Sequence, residues 1–131
     1  MTADYPITFF YYPDITAVIP FYEQTMGFEL VLDQGLARIY RVAENGYFGI
    51  VDGNRGHLQH QPESAVLFTL VVVDVPAWHA CMKAAGVAGL TEIRLGTYCE
   101  HFFFEDPQGY ALEIQRFRDP AVAALFKTTQ A

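Results

Sequence analysis

The stretch FFFEDPQGYALEI (residues 102–114) contains the pattern that decides the fold. Apolar and aromatic runs flank the segment DPQG, in which Asp106, Pro107 and Gly109 occupy the positions that these residue types favour in a type I turn. Two such runs around a turn predict a β-hairpin. Its second strand carries Glu113 among apolar neighbours, and this carboxylate could bind a metal, catalyse by itself or shape a pocket.

The composition is that of one globular domain covering residues 1–131, since a hydrophobic content of 52% is enough for one core. Fifteen acidic and eight basic side chains give a net charge of −7, so the basic field that attracts nucleic acid is missing. The first ten residues lack a secretory pattern, and the longest apolar run, residues 65–73, is far shorter than a membrane span of about 20 residues. We therefore expect a soluble, cytoplasmic protein with no nucleic-acid or membrane partner. Cys81 and Cys99 are interpreted as reduced, partly buried thiols.

Segments rich in aromatic and β-branched residues predict strands. They cover residues 7–12, 36–42, 46–51, 64–73 and 101–105. A helix is predicted over residues 76–86, because Asp74 can cap its start and Gly86 suits its end. A second helix is predicted over residues 15–26, where Pro20 indicates a late start or a kink.

The two halves of the chain repeat one order of elements, which is a strand, a helix and three strands. Module one covers about residues 5–53 and module two about residues 64–118. A polar connector, residues 54–63, joins them, and a C-terminal tail follows at residues 119–131. The tail is predicted to contain a short helix over residues 120–126, with Leu125 and Phe126 docking on the domain or on a second subunit.

Two segments carry a resemblance to a known family. FYEQTMGFEL (residues 21–30), reached from the first helix, and FFFEDPQGYALEIQRF (residues 102–117) together resemble the vicinal oxygen chelate superfamily, which includes glyoxalase I, bleomycin resistance proteins and extradiol dioxygenases. The resemblance implies an α+β fold of two βαβββ modules whose curved mixed sheets form around a cavity. It also implies a homodimer.

In metal-using members of this family, the ligands come from the first and last strands of the modules. The corresponding positions here are Ile7, Ile50, Leu67 and Glu113, and only Glu113 carries a donor atom. A catalytic zinc normally needs three protein donors, so no metal and no other cofactor is expected. His101 is predicted to lie on the opposite face of the hairpin from Glu113.

Side-chain alternation predicts which residues would line a pocket for a small-molecule ligand. With a turn centred on Pro107 and Gln108, the residues Glu100, Phe102, Glu113 and Gln115 share one face. Glu100 and Glu113 would then act as an acid or base. The alternative is that Glu100 is exposed at the sheet edge while Glu113 forms a structural ion pair. The candidate partners of Glu113 in this ion pair are Arg38, Arg94 and Arg116. The remaining predicted ligand-binding residues are Ile7, Phe9, Tyr11, Tyr40, Phe48, Leu67 and Thr69.

These features predict a glyoxalase-like protein that binds a small apolar or aromatic compound and sequesters or transforms it without the metal site of the family. The alternative is a metal-dependent lyase, isomerase or dioxygenase, which would need three or more inward-facing donors. A structural or partner-binding role is the third possibility.

Overall fold

The computed structural model describes residues 1–126 and has an α+β fold with two mixed four-stranded sheets. The chain divides into two compact units, Met1–Ser64 and the part from Ala65 onward, with one sheet in each. Both units follow the order strand, helical segment and three strands. The predicted fold class is therefore confirmed. Residues 127–131 of the predicted tail lie outside the described residues.

The strands of the first unit are β1 (Ile7–Tyr12), β2 (Glu29–Asp33), β3 (Ala37–Ala43) and β4 (Gly46–Asp52). Their order in the sheet is β1-β4-β3-β2. Strands β1 and β4 run parallel, and the other neighbours are antiparallel.

The segment between β1 and β2 forms two short helical turns instead of one helix over residues 15–26. A 3₁₀ turn at Ile15–Ala17 is followed by a π-helical turn at Phe21–Thr25. Asp14 caps the first turn by accepting a hydrogen bond from the amide of Thr16 at 3.0 Å. Pro20, which has no amide hydrogen, immediately precedes the second turn. The late start or kink predicted at Pro20 is therefore confirmed.

The core of the first unit is aromatic, and its buried phenols find partners inside it. The hydroxyl oxygens of Tyr12 and Tyr22 are 3.0 Å apart. The hydroxyl of Tyr40 donates to Oε2 of Glu23 at 2.9 Å, and Arg38 donates to the same oxygen at 2.8 Å.

Two residues that were expected to line a pocket belong to this core. Tyr40 and Phe48 are fully buried. They lie opposite each other on β3 and β4, and their rings lie 6.4 Å and 4.8 Å from the ring of Tyr22. This face of the sheet is packed against the helical segment. The prediction that Tyr40 and Phe48 line a pocket is therefore wrong.

Replacement of Tyr40 by phenylalanine should lower the free energy of unfolding at neutral pH by about 1–3 kcal/mol, because a hydrogen bond to a charged acceptor is lost. Burial and the bond to Glu23 raise the pKa of the Tyr40 phenol. The stabilisation is therefore complete below the ordinary tyrosine pKa of about 10 and is lost as the pH rises above it. In urea unfolding experiments, the difference in free energy of unfolding between Tyr40→Phe and the wild type should become smaller above about pH 10.

The exposed Tyr5 provides the matched control for this replacement. Tyr5→Phe should have the same free energy of unfolding as the wild type at neutral pH. A Tyr40→Phe variant as stable as the wild type at neutral pH would contradict the role of this bond.

The elements of the second unit are β5 (Leu67–Val71), α1 (Val75–Ala85), β6 (Arg94–Leu95), β7 (Cys99–Glu105), β8 (Ala111–Phe117) and α2 (Pro120–Ala124). The strand order in its sheet is β5-β8-β7-β6, with β5 parallel to β8. Helix α1 is capped by Asp74, which accepts from the amide of Ala77 at 3.0 Å, and ends at Gly86 with a φ of 67°, as predicted. No helix within residues 1–126 is long and apolar enough to cross a membrane.

One face of the second sheet forms the core of this unit under α1. The rings of His79 on α1 and Phe102 on β7 lie edge to face, with their centroids 4.9 Å apart. Met82 on the same helix is buried. The sheet contributes Phe102, Phe104, Leu112 and Ile114, all buried. The core of the second unit therefore lies on this side of its sheet.

Candidate functional site on the second sheet

The β7–β8 hairpin pairs one residue away from the predicted register. Glu113 lies opposite Phe103 instead of Phe102, and Glu105 lies opposite Ala111. The type I turn is present, with the amide of Gly109 donating to the carbonyl of Asp106 at 3.0 Å. Gly109 then takes a left-handed φ of 91°, which adds one residue to the loop. Because successive side chains point to opposite faces, this one residue changes which side chains share a face.

The predicted pair of carboxylates is therefore not formed. Glu100 lies opposite Arg116, and its Oε1 atom is 3.6 Å from Nε of that arginine. The Glu100 side chain is 17% exposed. Phe102 shares the face of Glu100 and is buried against α1. The grouping of Glu100 and Phe102 with Glu113 is wrong, and so is the expectation that Glu100 is an exposed edge residue.

The register places Cys99 and His101 on the face of Glu113 instead. Sγ of Cys99 is 3.6 Å from Nδ1 of His101. One potential ligand atom from each of Cys99, His101 and Glu113 lies within 4.8 Å of the other two, and all three residues are half-buried. The prediction that His101 lies across the sheet from Glu113 is wrong for the same reason. We call this group the hairpin triad.

Neighbouring groups hold the hairpin triad and affect its charge. Oγ1 of Thr69, on the adjacent strand β5, donates to Oε1 of Glu113 at 2.9 Å. Burial raises the pKa of the Cys99 thiol, and the negative charge of Glu113 raises it further. At neutral pH the thiol therefore keeps its proton unless a cation replaces it. Cys99 and Cys81 are both free thiols, and Cys81 is exposed instead of partly buried.

The rest of this face mixes apolar and polar side chains. Leu67 and Val71 are 47% and 59% exposed, and Phe103 is 36% exposed. Gln115 follows Glu113 on the same face and lies opposite Val71. Leu67, Thr69 and Gln115 therefore share the face of Glu113, as the predicted pocket requires.

A groove lies at the end of this face, beside α2. The ring of Phe126 stacks on Phe117 with a centroid distance of 5.1 Å and an interplanar angle of 4°. The groove has a volume of about 390 Å³ and is lined mainly by apolar residues, including Val71, Val73, Phe117, Ala123 and Phe126. Its charged lining residues, Arg116 and Arg118, already pair with Glu100 and with the carbonyl of Gly96. This volume lies in the range of small-molecule sites, about 300–1,000 Å³. The sequence does not predict this groove, because the packing of the tail against β8 produces no regular spacing of apolar residues.

In the first unit, Ile7, Phe9 and Tyr11 share one face of β1, as alternation predicts. Phe9 is 39% exposed, and its ring lies directly over Gly49, where a side chain would collide with it. These three residues lie on the face opposite the aromatic core. They remain candidates for ligand contact in the first unit.

The inherited ligand positions do not fit a metal. Ile7 pairs with Tyr47 in the first unit, and Leu67 pairs with Ala111 in the second. By this register the counterpart of Glu113 is Gly49, and the assignment of Ile50 from the sequence is off by one residue. Ile50 is fully buried. Isoleucine, leucine and glycine side chains have no donor atoms, so Glu113 is left without the partners that the family pattern would supply.

The repeated βαβββ units and their mixed four-stranded sheets define the class of glyoxalase-like folds. The match to a family model covers residues 6–114, and the chain belongs to the Glyoxalase/Bleomycin resistance protein/Dioxygenase superfamily. This confirms the resemblance seen in the two sequence segments. Proteins of this superfamily bind small molecules.

Solved structures of remote relatives have the same fold. Lactoylglutathione lyase from Agrobacterium tumefaciens has a TM-score of 0.69 and 19% identity, covering 84% of this chain and 90% of that chain. The fosfomycin resistance protein FosX from Listeria monocytogenes has a TM-score of 0.70 and 14% identity, covering 88% and 94%. A glyoxalase/bleomycin resistance protein from Streptomyces sp. CB03234 has a TM-score of 0.66 and 21% identity, covering 82% and 96%. No curated protein matches the chain significantly.

Proposed function

We propose that the chain binds a small, largely apolar or aromatic compound on the second sheet and sequesters or transforms it without the metal site of the family. One observation carries this proposal. Phe117 lines the apolar groove beside α2, and Gln115 and Glu113 precede it on the same face of β8. A compound in the groove could therefore bury its apolar part while its polar end reaches these two residues.

The chemistry of this surface indicates the class of ligand. Aliphatic side chains and the stacked rings of Phe117 and Phe126 favour an apolar or flat compound. The amide of Gln115 can donate and accept hydrogen bonds, and the carboxylate of Glu113 accepts them. We therefore expect a ligand whose polar end donates hydrogen bonds. If the ligand is transformed, Glu113 is the candidate acid or base, since Glu100 lies on the other face in its ion pair.

The names of the structural relatives are in keeping with a small-molecule ligand. They refer to lactoylglutathione, fosfomycin and bleomycin, which are individual compounds and not macromolecules. At 14–21% identity these relatives indicate the fold and not the ligand.

Filling the groove tests the proposal. Ala123 lines it, and Ala123→Trp should occupy the space of a ligand. The neutral fluorescent probe N-phenyl-1-naphthylamine brightens in apolar surroundings and can be titrated into the purified chain. We expect the wild type to bind the probe and Ala123→Trp to bind it about tenfold more weakly or worse, a difference of about 1.4 kcal/mol.

The matched control is Ala121→Trp, at an exposed position of the same short helix. It should bind the probe like the wild type. Equal binding by both tryptophan variants, or no binding by the wild type, would refute the groove as the ligand site. Far-ultraviolet circular dichroism of both variants verifies that they are folded.

A second candidate function is metal-dependent lyase, isomerase or dioxygenase chemistry. The observation that favours it is the hairpin triad, which brings three potential ligand atoms within 4.8 Å of one another. Among the four inherited ligand positions, by contrast, Glu113 alone carries a donor atom.

A further inference from the structure

We propose that Cys99, His101 and Glu113 form a binding site for one zinc-like transition-metal ion, built on the β7–β8 hairpin instead of on the first strands of the two modules. Glu113 occupies a position that the family pattern uses, whereas Cys99 and His101 come from a strand that the pattern leaves out. The site would replace the donors that are missing at Ile7 and Leu67.

The spacing of the donor atoms fits a single ion. Around a tetrahedral zinc with bonds of about 2.0–2.3 Å, neighbouring donor atoms lie about 3.3–3.8 Å apart. The distance of 3.6 Å between Sγ of Cys99 and Nδ1 of His101 is in this range. The whole triad lies within 4.8 Å, so small side-chain rotations would bring all three atoms onto one ion.

The fold holds these side chains together before any ion binds. Cys99 and His101 are two residues apart on β7, so both point to one face. Thr69 holds a carboxylate oxygen of Glu113, in the manner of the outer hydrogen bonds that orient metal ligands. Gly96 leaves room for the imidazole, since a Cβ there would lie 3.3 Å from Cε1 of His101.

The donor set selects the class of ion. A thiolate and an imidazole favour zinc, cobalt and similar transition metals, whereas magnesium and calcium prefer sites made of oxygen atoms. Three protein donors leave one tetrahedral position open, which is typical of catalytic zinc sites and not of structural ones.

The triad supplies its own negative charge for a cation, the carboxylate of Glu113. Two further charged residues lie on the same face of the sheet. They are Arg94, which lies opposite His101 on β6, and Glu105, which lies further along β7.

Cobalt(II) provides a direct test on the full chain after treatment with a chelator. We expect one equivalent of Co²⁺ to produce a thiolate-to-cobalt charge-transfer band in the near ultraviolet, and Zn²⁺ to displace it. Cys99→Ser should abolish the band. His101→Ala and Glu113→Gln should weaken Co²⁺ binding by about tenfold or more, since even outer-shell changes cost about 10–100-fold.

Matched controls exist for each ligand. Cys81→Ser, His57→Ala and Glu44→Gln remove the same chemical groups at exposed positions elsewhere in the chain and should keep the spectrum and the affinity. No band in the wild type, or a band that survives Cys99→Ser, would overturn the site. Near-identical thermal unfolding of Cys99→Ser without metal shows that its loss of the band is not a loss of fold.

The proposed metal site and the proposed ligand groove can be tested independently of each other. Ala123→Trp should lose the naphthylamine probe and still bind Co²⁺, while Cys99→Ser should lose Co²⁺ and still bind the probe. Loss of both activities in either variant would contradict the assignment of two distinct sites.

Discussion

Phe102→Ala is expected to lower the free energy of unfolding by about 3–5 kcal/mol, the cost of removing a buried phenylalanine from a packed core. Phe102 is fully buried, and its ring contacts the imidazole of His79 on α1. Total stabilities of domains are about 5–15 kcal/mol, so this one change should remove a large part of the stability. Urea unfolding followed by circular dichroism measures the loss.

The neighbouring Phe103 provides the comparison, because it has the same side chain on the opposite face. It is 36% exposed, and Phe103→Ala should cost only about 1–2 kcal/mol. The register predicted from the sequence places Phe102 beside Glu113, and it would therefore make Phe103→Ala the more destabilising of the two replacements. Equal losses, or a larger loss at Phe103, would show that the hairpin does not pair as described.

The elements themselves were accessible from the sequence because each has a local cause. The strand predicted over residues 7–12 has the bounds of β1, Ile7–Tyr12, since aromatic and β-branched residues cluster there. Helix α1 is bounded by Asp74 and Gly86, whose capping roles depend on their side chains or on the lack of one. The disturbance at Pro20 likewise follows from a missing amide hydrogen.

The register was not accessible, and the site depends on it. The sequence predicts the type I turn at DPQG, but it does not show that Gly109 adds a residue to the loop. An error of one residue exchanges the two faces of a strand. It therefore moved Glu100 onto the face of Glu113 and moved His101 off it. The available signal for the triad is that Cys99 lies two residues before His101, the first residue of a predicted strand.

The phenols of the first unit show a second limit of sequence reasoning. Each buried tyrosine needs a hydrogen-bond partner, which either a bound ligand or the core itself can supply. In the structure Tyr12 pairs with Tyr22, and Tyr40 pairs with Glu23. These partners are distant in sequence and lie within the same core. A high tyrosine content therefore supports an aromatic core here as well as a ligand site.

Replacement of Asp106 by alanine is expected to cost about 2–4 kcal/mol, because buried amides would lose their acceptor. Asp106 is the buried charged residue of the β7–β8 turn and is 1% exposed. Its Oδ1 atom accepts from the amides of Gln108 at 2.9 Å and Tyr110 at 3.0 Å. These bonds hold the loop that determines the hairpin register. The variant should therefore also bind Co²⁺ more weakly, although Asp106 is not a ligand of the proposed site.

Asp106→Asn separates the hydrogen bonds from the charge, since asparagine keeps an oxygen at the accepting position. We expect the asparagine variant to lose about half as much stability as the alanine variant, because a neutral acceptor makes weaker bonds than a carboxylate. Urea unfolding of both proteins, followed by Co²⁺ titration, measures the two effects together. A stable Asp106→Ala protein with unchanged Co²⁺ affinity would show that the turn does not set the geometry of Cys99, His101 and Glu113. The convergence of these three side chains on one face would then need a cause other than the loop that Asp106 holds.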